Sequence, residues 1–190
     1  SQYAHDWMHT MVVNGVWNTV MYLMLTALIS NKVRDAPAQL GVLVGLWTLP
    51  GRVSGNTAAL ADVFSAPRWK SSSKGRHLKC TASEAISMYG IIKVFVVAVF
   101  LRAGECVAEC NAYVFACDVL DLLVQAAQGT IRGEKLRDAV GNFLRACLAA
   151  NWRQFLHPKF HWMLHLVIEL VRFGLLLTCW VHERKHRMVK

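Results

Sequence analysis

Acidic residues are scarce in this sequence: 12 Asp and Glu stand against 21 Lys and Arg, giving a formal net charge of +9 and a pI near 9.5. Such a balance argues for an anionic partner, either nucleic acid or an acidic membrane surface. A glycine-rich phosphate loop, a Walker sequence and a nucleophile elbow are all missing, which removes the motif-based grounds for an NTPase or an α/β-hydrolase. The six cysteines, Cys80, Cys106, Cys110, Cys117, Cys147 and Cys179, include no close Cys-x-x-Cys pair and form no dense secreted-domain framework. Cys106, Cys110 and Cys117 fall on neighbouring turns of one helix, from which a thiolate metal site can be drawn; without a close Cys-x-x-Cys pair, thiols packing as small apolar groups are expected instead. No basic, apolar, small-residue order of a signal peptide opens the chain, so reduced thiols in an intracellular protein are expected. Period-two alternation is not sustained anywhere, which excludes a substantial sheet.

Apolar residues, by contrast, are abundant: 55% of the chain is hydrophobic and 17% charged, with a mean hydropathy of +0.32. At 190 residues the chain is long enough to bury a real core as a single helical domain, 1–190. Residues 11–29 are long enough to span a bilayer. Residues 91–101 are too short and include Lys93, and 163–181 carry His165, Glu169 and Arg172 through their middle. The expectation is that these are core helices; one alternative is a multi-pass or membrane-associated helical protein, and another is a helical interaction module without catalysis, in which the His and Asp positions merely pack.

The apolar spacing predicts a mainly α fold of about six to eight helices with little or no sheet. Residues 7–29 read as a central helix interrupted at Gly15, and residues 40–49 as a second apolar stretch that stops at Pro50-Gly51. Segment 51–80 is expected to be loop-rich, apart from a short helix over 58–64. Thr81-x-x-Glu84 is a capping box, in which each side chain satisfies a free N–H of a first turn, and it opens an apolar helix over 85–103. Further helices follow over 106–127 and from Lys135 onward, where Leu136, Val140, Phe143, Leu144, Cys147 and Leu148 keep three-four spacing. Gly174 offers a bend after the next helix, and 175–181 can be strand or helix.

Three groups of residues carry candidate chemistry. Arg68, Lys70, Lys74, Arg76 and Lys79 lie close together with Trp69 among them, a mixture of cations and a stacking ring suited to a nucleic-acid backbone. In the C-terminal segment 158–190, His161 and His165 stand four apart, so a helix presents both on one face at a metal-ligand spacing. Glu183 follows as the one acid in a run with Arg184, Lys185, Arg187 and Lys190. Near the N-terminus, Asp6 and His9 stand three apart and share a face if helical. His5 and His182 are read as exposed neighbours of these positions.

Asp-x-Met-His followed by an apolar stretch and Gly (Asp6, Met8, His9, Gly15) forms an ordered set with a later Pro-Lys-x-His-x-x-x-His (Pro158, Lys159, His161, His165). Phe173-Gly174 and then Glu183, Lys185, His186 and Lys190 continue it. This set resembles the back half of the catalytic region of eukaryotic cut-and-paste DDE transposases, nearest the CACTA (En/Spm) group. A weaker similarity lies in residues 79–84. The resemblance implies the helical insertion and final helix of an RNase H-like core, DNA as partner and a nuclear location. It also implies a Mg²⁺ or Mn²⁺ site completed by Glu183, with Lys185, Arg184 and Lys190 on phosphates. On one mapping Asp6, His9, His161 and His165 face one another and support the site, with Zn²⁺ as a candidate ion. On the other, Asp6 is itself a catalytic carboxylate. The remaining acids of the family would lie before Ser1, and one glutamate cannot hold two ions, so the isolated chain is expected to bind DNA without cleaving it.

Overall fold

The computed structural model describes residues 5–33, 35–48 and 57–176, and among them every regular element is a helix. In chain order these are α1 (Trp7–Met11), α2 (Val16–Ser30), α3 (Ala36–Leu46), α4 (Thr57–Asp62), α5 (Ala66–Gly75), α6 (Ala82–Phe95), α7 (Val107–Ala126), α8 (Gly133–Ala149) and α9 (Pro158–Phe173). The mainly α class expected from the sequence is what is found.

α2 is the centre. Its apolar residues run nearly all round it, and Val16, Trp17, Val20, Met21, Met24, Leu25 and Leu28 are fully buried, as expected of a helix covered on every side. Burying each of these large side chains is worth about 1.5–3 kcal/mol. α2 packs on α7, α7 on α8, α8 on α9, and α9 returns to α1, closing a ring of helices. That closure sets the two ends of the described chain side by side.

Local chemistry explains the breaks. Between α1 and α2 the chain reverses through Asn14, at φ +47°. A Cβ on Gly15 would lie 2.4 Å from the Thr10 carbonyl oxygen and the Met11 carbonyl carbon, so only glycine fits. The capping box forms as the sequence predicts. The Thr81 N–H donates to Glu84 Oε2 at 2.7 Å and the Glu84 N–H to Thr81 Oγ1 at 3.2 Å. The α6 path then loosens into a π-helical turn over Val96–Leu101 instead of continuing as α-helix, where the β-branched Val96, Val97 and Val99 crowd the backbone. Gly104 and Gly174, both left-handed, end this turn and α9.

The main departure from expectation concerns segment 51–80. Its basic half is not a loop but α5. Pro67 sits in the first turn, where its missing N–H costs nothing. The serines of the triplet are accommodated in the helix, Ser72 Oγ donating to Arg68 O at 2.9 Å and Ser73 Oγ to Trp69 O at 3.0 Å.

Candidate functional site

Asp6 caps α1, one carboxylate oxygen accepting from the Met8 N–H at 3.0 Å and the other bonding the His9 ring through Nδ1. The cap is the local reason for this short helix. On α9, Phe160, Met163, Leu166, Val167 and Leu170 bury one stripe, which leaves His161 and His165 on a more exposed face. Their Nε2 atoms lie 3.0 Å apart with the rings edge to face.

α1 and α9 do pack together. Lys159 makes the tie, its Nζ donating to the carbonyl oxygens of His9 at 2.8 Å and Val13 at 2.7 Å. Burial holds this ammonium below the ordinary lysine pKa. The imidazole that meets His165, however, is His5, stacked on it with ring centres 4.9 Å apart and planes 7° from parallel. The His5 backbone N–H also donates to both Glu169 oxygens, at 3.0 and 3.1 Å, and its Nδ1 lies 2.8 Å from Oε1. Sequence analysis read His5 as exposed and gave Glu169 no role. The available signal was spacing, because His161, His165 and Glu169 recur every four residues along one face of α9.

Asp6 and His9 thus form one bonded pair, while Glu169, His5, His165 and His161 follow one another in a linked row. Among the described residues no group of three or more His, Cys, Asp or Glu side chains is arranged to hold a metal ion. Asp6 and His9 satisfy each other, and His161 and His165 supply at most two nitrogens, fewer than a closed zinc site needs. A Mg²⁺ or Mn²⁺ site requires converging oxygens. Asp6, whose carboxylate is used in capping and in bonding His9, does not fit that role. Cys106, Cys110 and Cys117 gather no metal set either, and burial pushes the Cys110 and Cys117 thiols up to about 12. Glu183, Arg184, Lys185 and Lys190 lie outside the described residues.

The basic segment divides in two. Lys70, Lys74 and Arg76 are exposed and Lys79 is half-buried. Arg68 is engaged internally, its two terminal nitrogens bonding the two Glu84 oxygens at 3.2 Å and one of them reaching Asp62 at 3.5 Å. Burial works to lower its pKa, and the bonds and charges of Glu84 and Asp62 more than offset this. Arg68 therefore ties α5 to the start of α6, and the other four cations are the ones free to meet a phosphate backbone.

No family model matches the chain, and no curated protein or solved structure matches it.

Proposed function

We propose that the chain is a transposase-derived helical domain that binds DNA, corresponding to the insertion and closing helix of a DDE-type catalytic region. The observation that carries this is the contact of α1 with α9. The two halves of the resemblance, Asp6-x-Met8-His9 and Pro158-Lys159-x-His161, are separated along the chain, yet they meet through Lys159, itself a position of the motif. Gly15 and Gly174, also motif positions, each stand where the backbone calls for glycine. The excess of 21 basic over 12 acidic residues supplies the attraction for phosphate.

The reading is confined to binding. Two-metal strand transfer needs several carboxylates around ions roughly 4 Å apart, and among the described residues no three or more metal-binding side chains converge, so no catalytic step is assigned. The test is fluorescence anisotropy with short duplex and single-stranded DNA across a salt series. Affinity is expected to fall steeply as salt rises, and a flat response, or no binding at low salt, would overturn the proposal.

A second reading, association with a membrane, is favoured by one observation. Within the helical stretch Ala82–Leu101 an 18-residue window has a mean hydropathy of 2.0, and only 33% of that window is buried. Val94, Val97 and Val99 face outward there. The one lysine within it, Lys93, is paired with Asp118 at 2.6 Å and Asp121 at 3.0 Å on α7. Sedimentation with uncharged vesicles at high salt, where attraction between charges is screened, separates this reading from the first.

A further inference from the structure

A cleft of about 370 Å³ opens where the end of α5, the start of α2 and the turn before α9 meet, and its wall includes Arg76, His77, His157, Lys159, Asn14 and Gln154. Asn18 of α2 brings the pieces together, its Nδ2 donating to Leu78 O at 3.1 Å while its own carbonyl accepts from Leu78 N at 2.9 Å. Among the described residues none that lines it is acidic. Both histidines have lowered pKa values, chiefly through burial. The neighbouring charges that add to the effect are Lys79 and Lys159 on His77, and Lys159 with His77 on His157.

Hydrogen bonding fixes how each group presents itself. His77 Nδ1 lies 2.7 Å from the Gly75 carbonyl oxygen, which can only accept, so the proton is on Nδ1. Its Nε2 is left with a lone pair, buried and without a partner among the described residues. His157 is the opposite tautomer. Its Nδ1 accepts from the Lys159 N–H at 3.3 Å, so Nε2–H points at Thr19 Oγ1, 3.1 Å away, and the Thr19 hydroxyl donates to Gly15 O. Lys159 uses two of its three ammonium N–H groups on carbonyl oxygens, and one remains.

The wall therefore holds a partly buried ammonium with a spare donor, a guanidinium, two primary amides and an orphaned imidazole nitrogen. A carboxylate offers two oxygens to such a set; a phosphate offers more acceptors and more charge. We propose that this cleft is a phosphate-binding site in which Arg76, Lys159 and Gln154 donate to the oxygens and His77 faces them. The His77 ring lies in the wall as a reporter of occupancy, its Nε2 buried away from solvent and making no bond to the oxygens. The phosphate can be a backbone group of nucleic acid or a free ion. Only the first source rests on the DNA-binding reading.

The test is to follow the histidine ring resonances of the full chain by NMR at pH 7. In one arm sodium phosphate replaces sodium chloride at constant ionic strength, and in the other a short single-stranded DNA without terminal phosphate is added. Saturable shifts at His77 and His157 are expected, weakened about tenfold in Arg76→Asn and in Gln154→Ala. Asn tolerates the left-handed backbone at position 76, φ +52°. Absence of saturable shifts with either ligand, or shifts unaffected by both substitutions, overturns the site. Shifts in both arms assign it to backbone phosphate. If phosphate shifts these rings while the oligonucleotide does not bind, the cleft stands and the DNA reading falls. If the oligonucleotide binds and neither ligand moves the rings, the cleft proposal falls alone.

Discussion

The Nζ of Lys159 lies 2.7 Å from the carbonyl oxygen of Val13, joining the first turn of α9 to the chain just beyond α1. A second donation, to His9 O at 2.8 Å, serves one of the last carbonyls of α1, which have no helical partners of their own. Lys159→Met keeps the stem and removes both bonds. Because bonds to a charged group are worth about 1.5–3 kcal/mol, the substitution is expected to destabilise by about that amount. Urea unfolding measures it, and an unchanged midpoint would show that the contact of α1 with α9 does not depend on this lysine.

Acid should weaken the fold through His77 and His157. Both have lowered pKa values in the folded chain, mainly from burial. Below about pH 6.5 the unfolded chain therefore binds protons that the folded chain resists, and stability falls as the pH drops towards the folded pKa values. His157→Asn retains an acceptor for the Lys159 N–H and cannot titrate. Urea midpoints at pH 7.5 and pH 5.5 should differ less in this variant than in the parent, and an equal loss in both would exclude His157 as a source.

Asn18 is fully buried, and its amide serves three partners. Oδ1 accepts from Gly15 N at 3.0 Å, and Nδ2 donates to Leu78 O at 3.1 Å and lies 3.2 Å from Cys80 Sγ. Asn18→Leu leaves a buried N–H and a buried carbonyl without partners, and is expected to cost about 2–4 kcal/mol. A thermal melt reads this, and a loss below about 1 kcal/mol would mean that water replaces the amide.

What the sequence revealed and what it hid divide along physical lines. The capping box at Thr81 and Glu84, the three-four stripe of α8 and the glycine stops are short-range features, and each formed where its chemistry pointed. α5 was hidden because Pro67 and three serines look like breakers. Pro in a first turn and serines bonding backwards to carbonyls are in fact compatible with a helix. The contact of α1 with α9 was legible as a bet on the motif. That His5, instead of Asp6 or His9, meets His165 was not, because it depends on Glu169 catching the His5 N–H across the whole fold. Arg68 was counted with its basic neighbours for the same reason: its partner Glu84 lies on another helix.

That difference among the cations yields a sharp prediction. Lys70 and Lys74 stand one turn apart on the exposed face of α5, whereas Arg68, two residues before Lys70, is held by Glu84 and Asp62. If α5 follows a phosphate backbone, Lys70→Gln with Lys74→Gln should lower DNA affinity and flatten its salt dependence by about 0.7–0.9 for each phosphate no longer neutralised, while the urea midpoint stays within about 0.5 kcal/mol of the parent. Arg68→Gln should behave the opposite way. It uncovers Glu84, which the capping box already uses at Thr81, so stability falls by about 1 kcal/mol, while the salt slope is kept. Anisotropy titrations and urea melts on the same preparations make the comparison. A salt slope that drops with Arg68→Gln and not with the lysine pair would place the phosphate path away from the exposed face of α5.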